Sequence, residues 1–362
     1  MGNKERIEEL ERLISESKYN KATQHAIGRY KAQLAKLRAE EEKKQKSTGS
    51  TSGYHVKKTG DATVVLLGFP SAGKSTLLNA LTGADSEIGA YSFTTLNVIP
   101  GILKHKGANI QILDVPGIVR GAAYGRGRGQ EVLSVLRSAD LVLMLLDPKK
   151  KGQKEKLEEE VHNAGIRLGE KKPDVKITKK GKDGVRVSST VPLPNLSEEE
   201  VVAVLKEFGI VNADVVIRTQ IDVDQFVDCV EGNRKYVPYL TVVNKKDMLT
   251  KDELEKVMER VDGDLAISAE KGSLEELKDK IFEGLSLIRI YMKEPREDPD
   301  MDEPLIVTKG TTVKGVCKNL HRDMMKKFRH AKIWGESAKF PGQRQGKDHV
   351  VKDGDVVEIH VR

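Results

Sequence analysis

The run Gly68-Phe69-Pro70-Ser71-Ala72-Gly73-Lys74-Ser75 constrains this chain more than any other feature. It has the spacing G-x-x-x-x-G-K-[ST], whose glycines let backbone N–H groups turn inward around phosphate oxygens. Such a loop works between a strand and a helix whose positive dipole end faces the anion. Both flanks are present. The apolar run Thr63–Leu67 precedes it, and Thr76-Leu77-Leu78-Asn79-Ala80-Leu81 continues as an apolar helix. From Asp61 onward, strand-like apolar runs alternate with helical patterns, the rhythm of an α/β fold with a mainly parallel sheet. Lys74 is placed to bridge the β- and γ-phosphates of a nucleoside triphosphate, and Ser75 to ligate Mg²⁺.

Three further elements follow the loop. Asp114-Val115-Pro116-Gly117 closes a second apolar strand, Ile110–Leu113. It brings a carboxylate near the metal and the Gly117 N–H near the γ-phosphate. Between them lies Phe93-Thr94-Thr95-Leu96, from which Thr95 can reach Mg²⁺. Asn244-Lys245-Lys246-Asp247 then follows the apolar strand Tyr239–Val243. A carboxylate there accepts hydrogen bonds from the N1–H and 2-amino groups of guanine. Adenine offers neither donor, so a buried Asp247 would be left unpaired and would reject ATP. Ser268-Ala269, after Ala266-Ile267, can add a backbone contact to the guanine oxygen. In this order, on strand ends, the elements specify a site for GTP and GDP. Its binding residues are Phe69, Pro70, Ser71, Ala72, Gly73, Lys74, Ser75, Thr76, Asn244, Lys245, Asp247, Ser268 and Ala269. Lys74, Thr95 and Gly117 form the catalytic set, and Ser75, Thr95 and Asp114 the metal set.

Composition marks the other parts of the 362 residues. Ile7, Leu10, Leu13 and Ile14 fall on one helical face, and Ile27, Tyr30, Leu34 and Leu37 on another, so residues 1–60 read as a helical hairpin and linker. The nucleotide-binding domain is expected over 61–293. Its rhythm breaks at about 165–238, where Ser197 and Glu200 form a capping box opening a helix, so a subdomain is inserted there. Glu294–Asp300 sets off a small module at 304–362. Residues 1–60 carry 14 Lys/Arg against 8 Asp/Glu, residues 304–362 carry 13 against 6, and residues 61–303 carry 35 against 41. Basic ends suit a polyanion such as RNA. Lys326, Lys327, Arg329 and Lys332 form the densest cluster. The apolar runs Val64–Leu67 and Leu141–Leu146 fall far short of the ~20 residues of a membrane span, so no membrane role is expected. Two cysteines, Cys229 and Cys317, make no disulfide framework, and a reducing cytoplasm is the expected compartment. The histidines show no metal spacing.

Gly68–Ser75, Tyr91-Ser92-Phe93-Thr94-Thr95-Leu96 and Asp114-Val115-Pro116-Gly117-Ile118 resemble the Obg–HflX class of translation-factor GTPases. Ala122-Ala123-Tyr124-Gly125-Arg126-Gly127-Arg128-Gly129-Gln130 and Val230-Glu231-Gly232-Asn233-Arg234 narrow the resemblance to the developmentally regulated GTP-binding (DRG) family, over essentially the whole chain. The resemblance implies a P-loop GTPase domain preceded by a helical hairpin and interrupted by a small α/β subdomain. It also implies a C-terminal TGS domain with a ubiquitin-like β-grasp fold. Pro304–Val313, Ala331–Gly335 and Val356–His360 are similar to strands of such a domain. GTP hydrolysis on the ribosome or structured RNA in translation is the implied function. The alternative is a signalling switch that recruits a small regulatory protein through the hairpin or the TGS module. A monomer is expected. Ile118 stands where Ras-like GTPases carry the glutamine that orients water, and an isoleucine makes no hydrogen bond. Slow intrinsic turnover follows, stimulated by whatever the protein docks on. Some relatives hold a K⁺ through an asparagine where Ser71 stands here, and serine is the poorer ligand. Arg120, Arg126 and Arg128 are the candidates for a cis arginine.

Overall fold

The computed structural model describes residues 3–17, 23–48, 60–83, 99–115, 135–321 and 324–361. Thr95, Gly117, Ile118, Arg120, Arg126 and Arg128 lie outside the described residues. The chain divides into two compact units. One joins residues 54–164 to 237–362, and the other joins 1–53 to 165–236.

The larger unit is built on a six-stranded sheet. Across it run Leu265–Ala266, Tyr239–Val243, Leu141–Leu146, Ala62–Leu67, Ala108–Asp114 and Ile99–His105. The first five are parallel. Strands buried on both faces read as unbroken apolar runs, and every residue of Ala62–Leu67 and of Leu141–Leu146 is buried. The edge strand Ile99–His105 is antiparallel to its neighbour. Its connection is too short for a crossover: His105 pairs with Ala108, and the two residues between them, Lys106 and Gly107, both have positive φ, at 49° and 80°. Helices Lys74–Thr82 and Glu275–Gly284 close the core through Leu77, Leu78, Leu277 and Ile281.

The same unit ends in a second sheet of five strands, ordered Leu305–Thr308, Leu287–Met292, Val356–Val361, Phe328–Trp334 and Gln343–Gln345. Its central pair, Leu287–Met292 with Val356–Val361, is parallel and its other pairs are antiparallel. Helix Val313–Leu320 buries Val313, Val316 and Cys317 against Ile290, Ala331, Ile333 and Val357. This mixed sheet with one packed helix is a β-grasp arrangement. It starts earlier than the sequence boundary at 304. Leu287–Met292, expected to close the nucleotide-binding domain, forms a hairpin with Leu305–Thr308, and the acidic, proline-containing stretch Glu294–Asp300 is the loop between them.

The smaller unit has a three-stranded sheet, with Ala213–Ile217 between Val175–Lys179 and Val185–Ser189. Helices Glu198–Glu207 and Val223–Glu231 pack on it through Val201, Val204, Leu205, Phe226 and Val227. Both open with capping boxes, Ser197 with Glu200 as expected from the sequence and Asp222 with Gln225. Helices Asn3–Glu16 and Gln24–Thr48 form the expected hairpin. The sequence treats it as an element by itself, but the longer helix completes the core of the inserted segment. Ala32 and Ala35 are buried among Val201, Val204 and Val223. Gly28, which interrupts the apolar stripe, faces Glu200 and Val223, and the small residues let the helix lie close. Within this unit Asp228 is buried between two arginines. Arg167 reaches it at 2.7 and 3.0 Å and Arg234 at 2.7 Å. Gly232, left-handed at φ 66°, ends the helix and turns the chain so that Arg234 returns to Asp228.

Candidate functional site

Every described residue of the expected site lies at the C-terminal edge of the parallel sheet, where a βα loop naturally gathers a ligand. The phosphate loop follows Ala62–Leu67. Two of its glycines are required by close approach. A Cβ on Gly68 would lie 2.7 Å from the Leu145 carbonyl, and one on Gly73 would lie 2.3 Å from Asn244 Nδ2. Gly73 also caps the following helix in a left-handed conformation, φ 93°. Ala72 is buried, while Pro70, Ser71, Ser75 and Thr76 are exposed and Phe69 is half-buried.

Lys74 is buried and curls back over its own loop, its Nζ donating to the carbonyls of Gly68 at 3.1 Å and Phe69 at 3.3 Å. Burial lowers its pKa, against the pull of Asp114. Asp114, at the end of Ala108–Asp114, accepts a 2.5 Å hydrogen bond from the Ser75 hydroxyl. Burial pushes its carboxyl up, and the Ser75 hydroxyl and the Lys74 ammonium pull the other way. A hydroxyl and a carboxylate side by side are oxygen donors suited to a hard cation, so the residues present fit Mg²⁺.

The base-recognition segment is tied to this loop by Asn244, which is buried. Its Nδ2 donates to the Ala72 carbonyl at 2.9 Å, and its Oδ1 accepts from the Ala269 N–H at 3.0 Å. One side chain thus spans the phosphate loop and the Ser268-Ala269 turn, and the two partners fix which way its amide points. Lys245 adds a second tie, donating to the Ser71 carbonyl and to Asp147, each at 2.9 Å. Ser71 and Lys245 are both non-glycine residues at positive φ, 66° and 60°. Such strain gathers at binding sites, and here the hydrogen bond between the two holds it.

Asp247 differs from the expectation of a buried carboxylate. It is exposed at the end of its strand, held by the hydroxyl of buried Ser268 and by Lys271 at 3.7 Å. The Ser268 hydrogen bond, ahead of Lys271, keeps its carboxyl below the usual range. The sequence reading missed Asp147. It ends the apolar strand Leu141–Leu146 as Asp114 ends Ile110–Leu113, and that position was the available signal. Burial pushes Asp147 up, but the Lys245 hydrogen bond and the Lys149 N–H outweigh it, so its pKa is lowered. Thr95 and Gly117, of the catalytic and metal sets, lie outside the described residues.

Known proteins match the whole length. Residues 63–180 match the family described as 50S ribosome-binding GTPase, residues 182–287 the C-terminal region of that domain, and residues 288–361 the TGS domain. The last match begins where the second sheet begins. An uncharacterised GTP-binding protein of Methanocaldococcus jannaschii is 51% identical over 100% of this chain and 94% of its own. Developmentally-regulated GTP-binding protein 2 of Homo sapiens is 41% identical over 99% of each chain. GTP-binding protein 1 of Schizosaccharomyces pombe is 44% identical, also over 99% of each. No helix among the described residues is long and apolar enough to cross a membrane.

Proposed function

This chain belongs to the family of the developmentally regulated GTP-binding proteins, a translation-factor-type GTPase class, and from that premise we propose that it is a nucleotide switch acting on the ribosome or structured RNA in translation. The observation that carries the nucleotide half is the Asn244 bridge, which puts the phosphate loop and the guanine-reading segment in one hydrogen-bonded frame. Asp247 then meets the two donors on the guanine edge, and Lys74 the phosphates. Ser75 and Asp114, joined by Thr95, would hold Mg²⁺, which neutralises phosphate charge when bound. Gly117 offers its N–H to the γ-phosphate. Ile118 cannot orient water, so intrinsic hydrolysis of GTP to GDP and phosphate is slow and depends on the docking partner. Ser71 spends its carbonyl on Lys245 and supplies no amide side chain, which makes it a poor K⁺ ligand.

The ribosome half is supported by the description of the family that residues 63–180 match and by the excess of cations at both chain ends. The test is GTP turnover with and without purified ribosomes, at low and high salt and in K⁺ against Na⁺. The expected result is stimulation by ribosomes that fades with salt, because phosphate contacts release counterions, and no difference between the two cations. A rate indifferent to ribosomes overturns the docking half and turns attention to a protein partner.

A further inference from the structure

The smaller unit separates its charge by side. Residues 165–236 hold 12 Lys/Arg and 12 Asp/Glu, a balance of zero that hides a dipole. Residues 171–186 carry seven of those cations against Asp174 and Asp183, while residues 197–231 carry nine of the acids against Lys206 and Arg218. Folding puts the acids of the two helices and the cations of the sheet on opposite sides, with Asp214 of the central strand the one acid of 197–231 that stands among the sheet's cations.

On the helix side Glu207, Asp224 and Asp228 are taken up within the unit, while Glu198 and Glu199 stay exposed. Glu207 receives Arg29 and Gln33, each at 3.2 Å, and Asp224 receives Lys31 at 2.6 Å. Asp228 lies between Arg167 and Arg234. On the sheet side, strand alternation sends Val175, Ile177, Val185 and Val187 to the core and leaves Lys176, Thr178, Arg186 and Ser188 exposed. The register sets Lys176 and Ser188 on either side of Val216, and Thr178 and Arg186 on either side of Asp214. The two edge strands are about 10 Å apart. The loop between them adds Lys180, paired with Asp214, and exposed Lys182. Among the described residues Lys176, Lys182 and Arg186 form no ion pair. In the last module some cations are paired, Lys332 with Glu358 at 3.0 Å and Lys352 and Arg289 with Glu336 and Asp353 at 2.7 Å, while Lys314, Lys339, Arg344 and Lys347 are exposed.

We infer that this open sheet face is a docking surface for the sugar-phosphate backbone of double-helical RNA. The inference rests on the RNA reading above and names the surface that serves it. Unpaired cations across a polar face match a polyanion, since each phosphate they neutralise releases counterions. Thr178 and Ser188 offer hydroxyls to phosphates and 2′-hydroxyls. The outward positions carry no aromatic side chain, so stacking on unpaired bases is not what the face is built for, and a helical backbone is.

The experiment uses the full chain with Lys176→Gln, Lys182→Gln and Arg186→Gln together, a short fluorescent RNA duplex, and a salt series. The variant is expected to bind the duplex at least about tenfold more weakly at low salt, with a log-log salt slope shallower by about 3, one for each cation removed. Its GTP affinity stays at the wild-type level. Equal affinity and slope in wild type and variant overturn the surface and leave the RNA reading standing. A wild-type chain that cosediments with ribosomes yet ignores the duplex also overturns the surface alone. One that binds neither overturns the RNA reading with it. Displacement by polyglutamate as effective as by RNA overturns the choice of RNA and identifies an acidic protein as the occupant.

Discussion

The two compact units handle charge in opposite ways. At the nucleotide site Lys74 is buried at a helix start and Asp114 and Asp147 at strand ends, each held by a named partner within 3.3 Å. In the smaller unit the outward cations Lys176, Lys182 and Arg186 stand exposed, while Glu207 and Asp224 are paired on the helix side. Buried charges in fixed places discriminate between small ligands, because a wrong ligand leaves them unpaired. Exposed charges on an open sheet discriminate little, yet they add up along an extended polyanion and are screened by salt. One chain thus carries a selective site and a surface suited to broad electrostatic docking, each in a separate compact unit.

That contrast can be broken or sharpened by substitution. The largest effect is expected from Asp228→Ala, which takes from buried Arg167 the carboxylate it grips at two points, while half-buried Arg234 keeps Glu231. About 3–5 kcal/mol of stability should be lost from the smaller unit. Amide exchange should rise across residues 165–236 while GTP affinity holds, and a parallel loss of GTP affinity would erase the separation between the units. Asp247→Asn comes next. On the proposed reading its carboxylate accepts two guanine donors, and an amide presents a donor to one of them, so GTP binding should weaken. A titration against GTP and ATP should show the preference for GTP narrowing, and unchanged selectivity would remove Asp247 from base recognition. The smallest effect is expected from Ser197→Ala. It deletes the cap whose hydroxyl accepts from the Glu200 N–H at 3.2 Å, and denaturant unfolding should report about 1 kcal/mol with GTP affinity unmoved.

Much of the nucleotide site is legible in the sequence because its physics is local. The phosphate loop, Asp114 and Asn244–Asp247 each follow a strand buried on both faces, so an unbroken apolar run announces where the loop begins. The capping box at Ser197 is local as well. What escapes the sequence is choice of partner. The stripe of the longer hairpin helix shows that a face is buried, but Ala32 and Ala35 do not say that the cover is Val204 and Val223, far along the chain. Leu287–Met292 reads as one more strand of the alternating rhythm, and its allegiance to the second sheet depends on pairings with Thr308 and Val356 that no local pattern encodes. The exposure of Asp247 is a third case, since its surroundings come from Ser268 and Lys271 rather than from its own strand. Net charge misleads for a similar reason: a segment that sums to zero can still have two faces.

The hairpin that shares its core with the inserted segment also has a biosynthetic consequence. Ala35 and Phe226 belong to one hydrophobic cluster, yet the whole phosphate-loop region is translated between them. At about 5–20 residues per second, Ala35 is made roughly 10–40 seconds before Phe226. During that interval the residues that cover Ala32 and Ala35 in this cluster are not yet made, so the hairpin takes its seat late. The phosphate loop is thus made before the two hairpin helices have anything to seat against in that cluster.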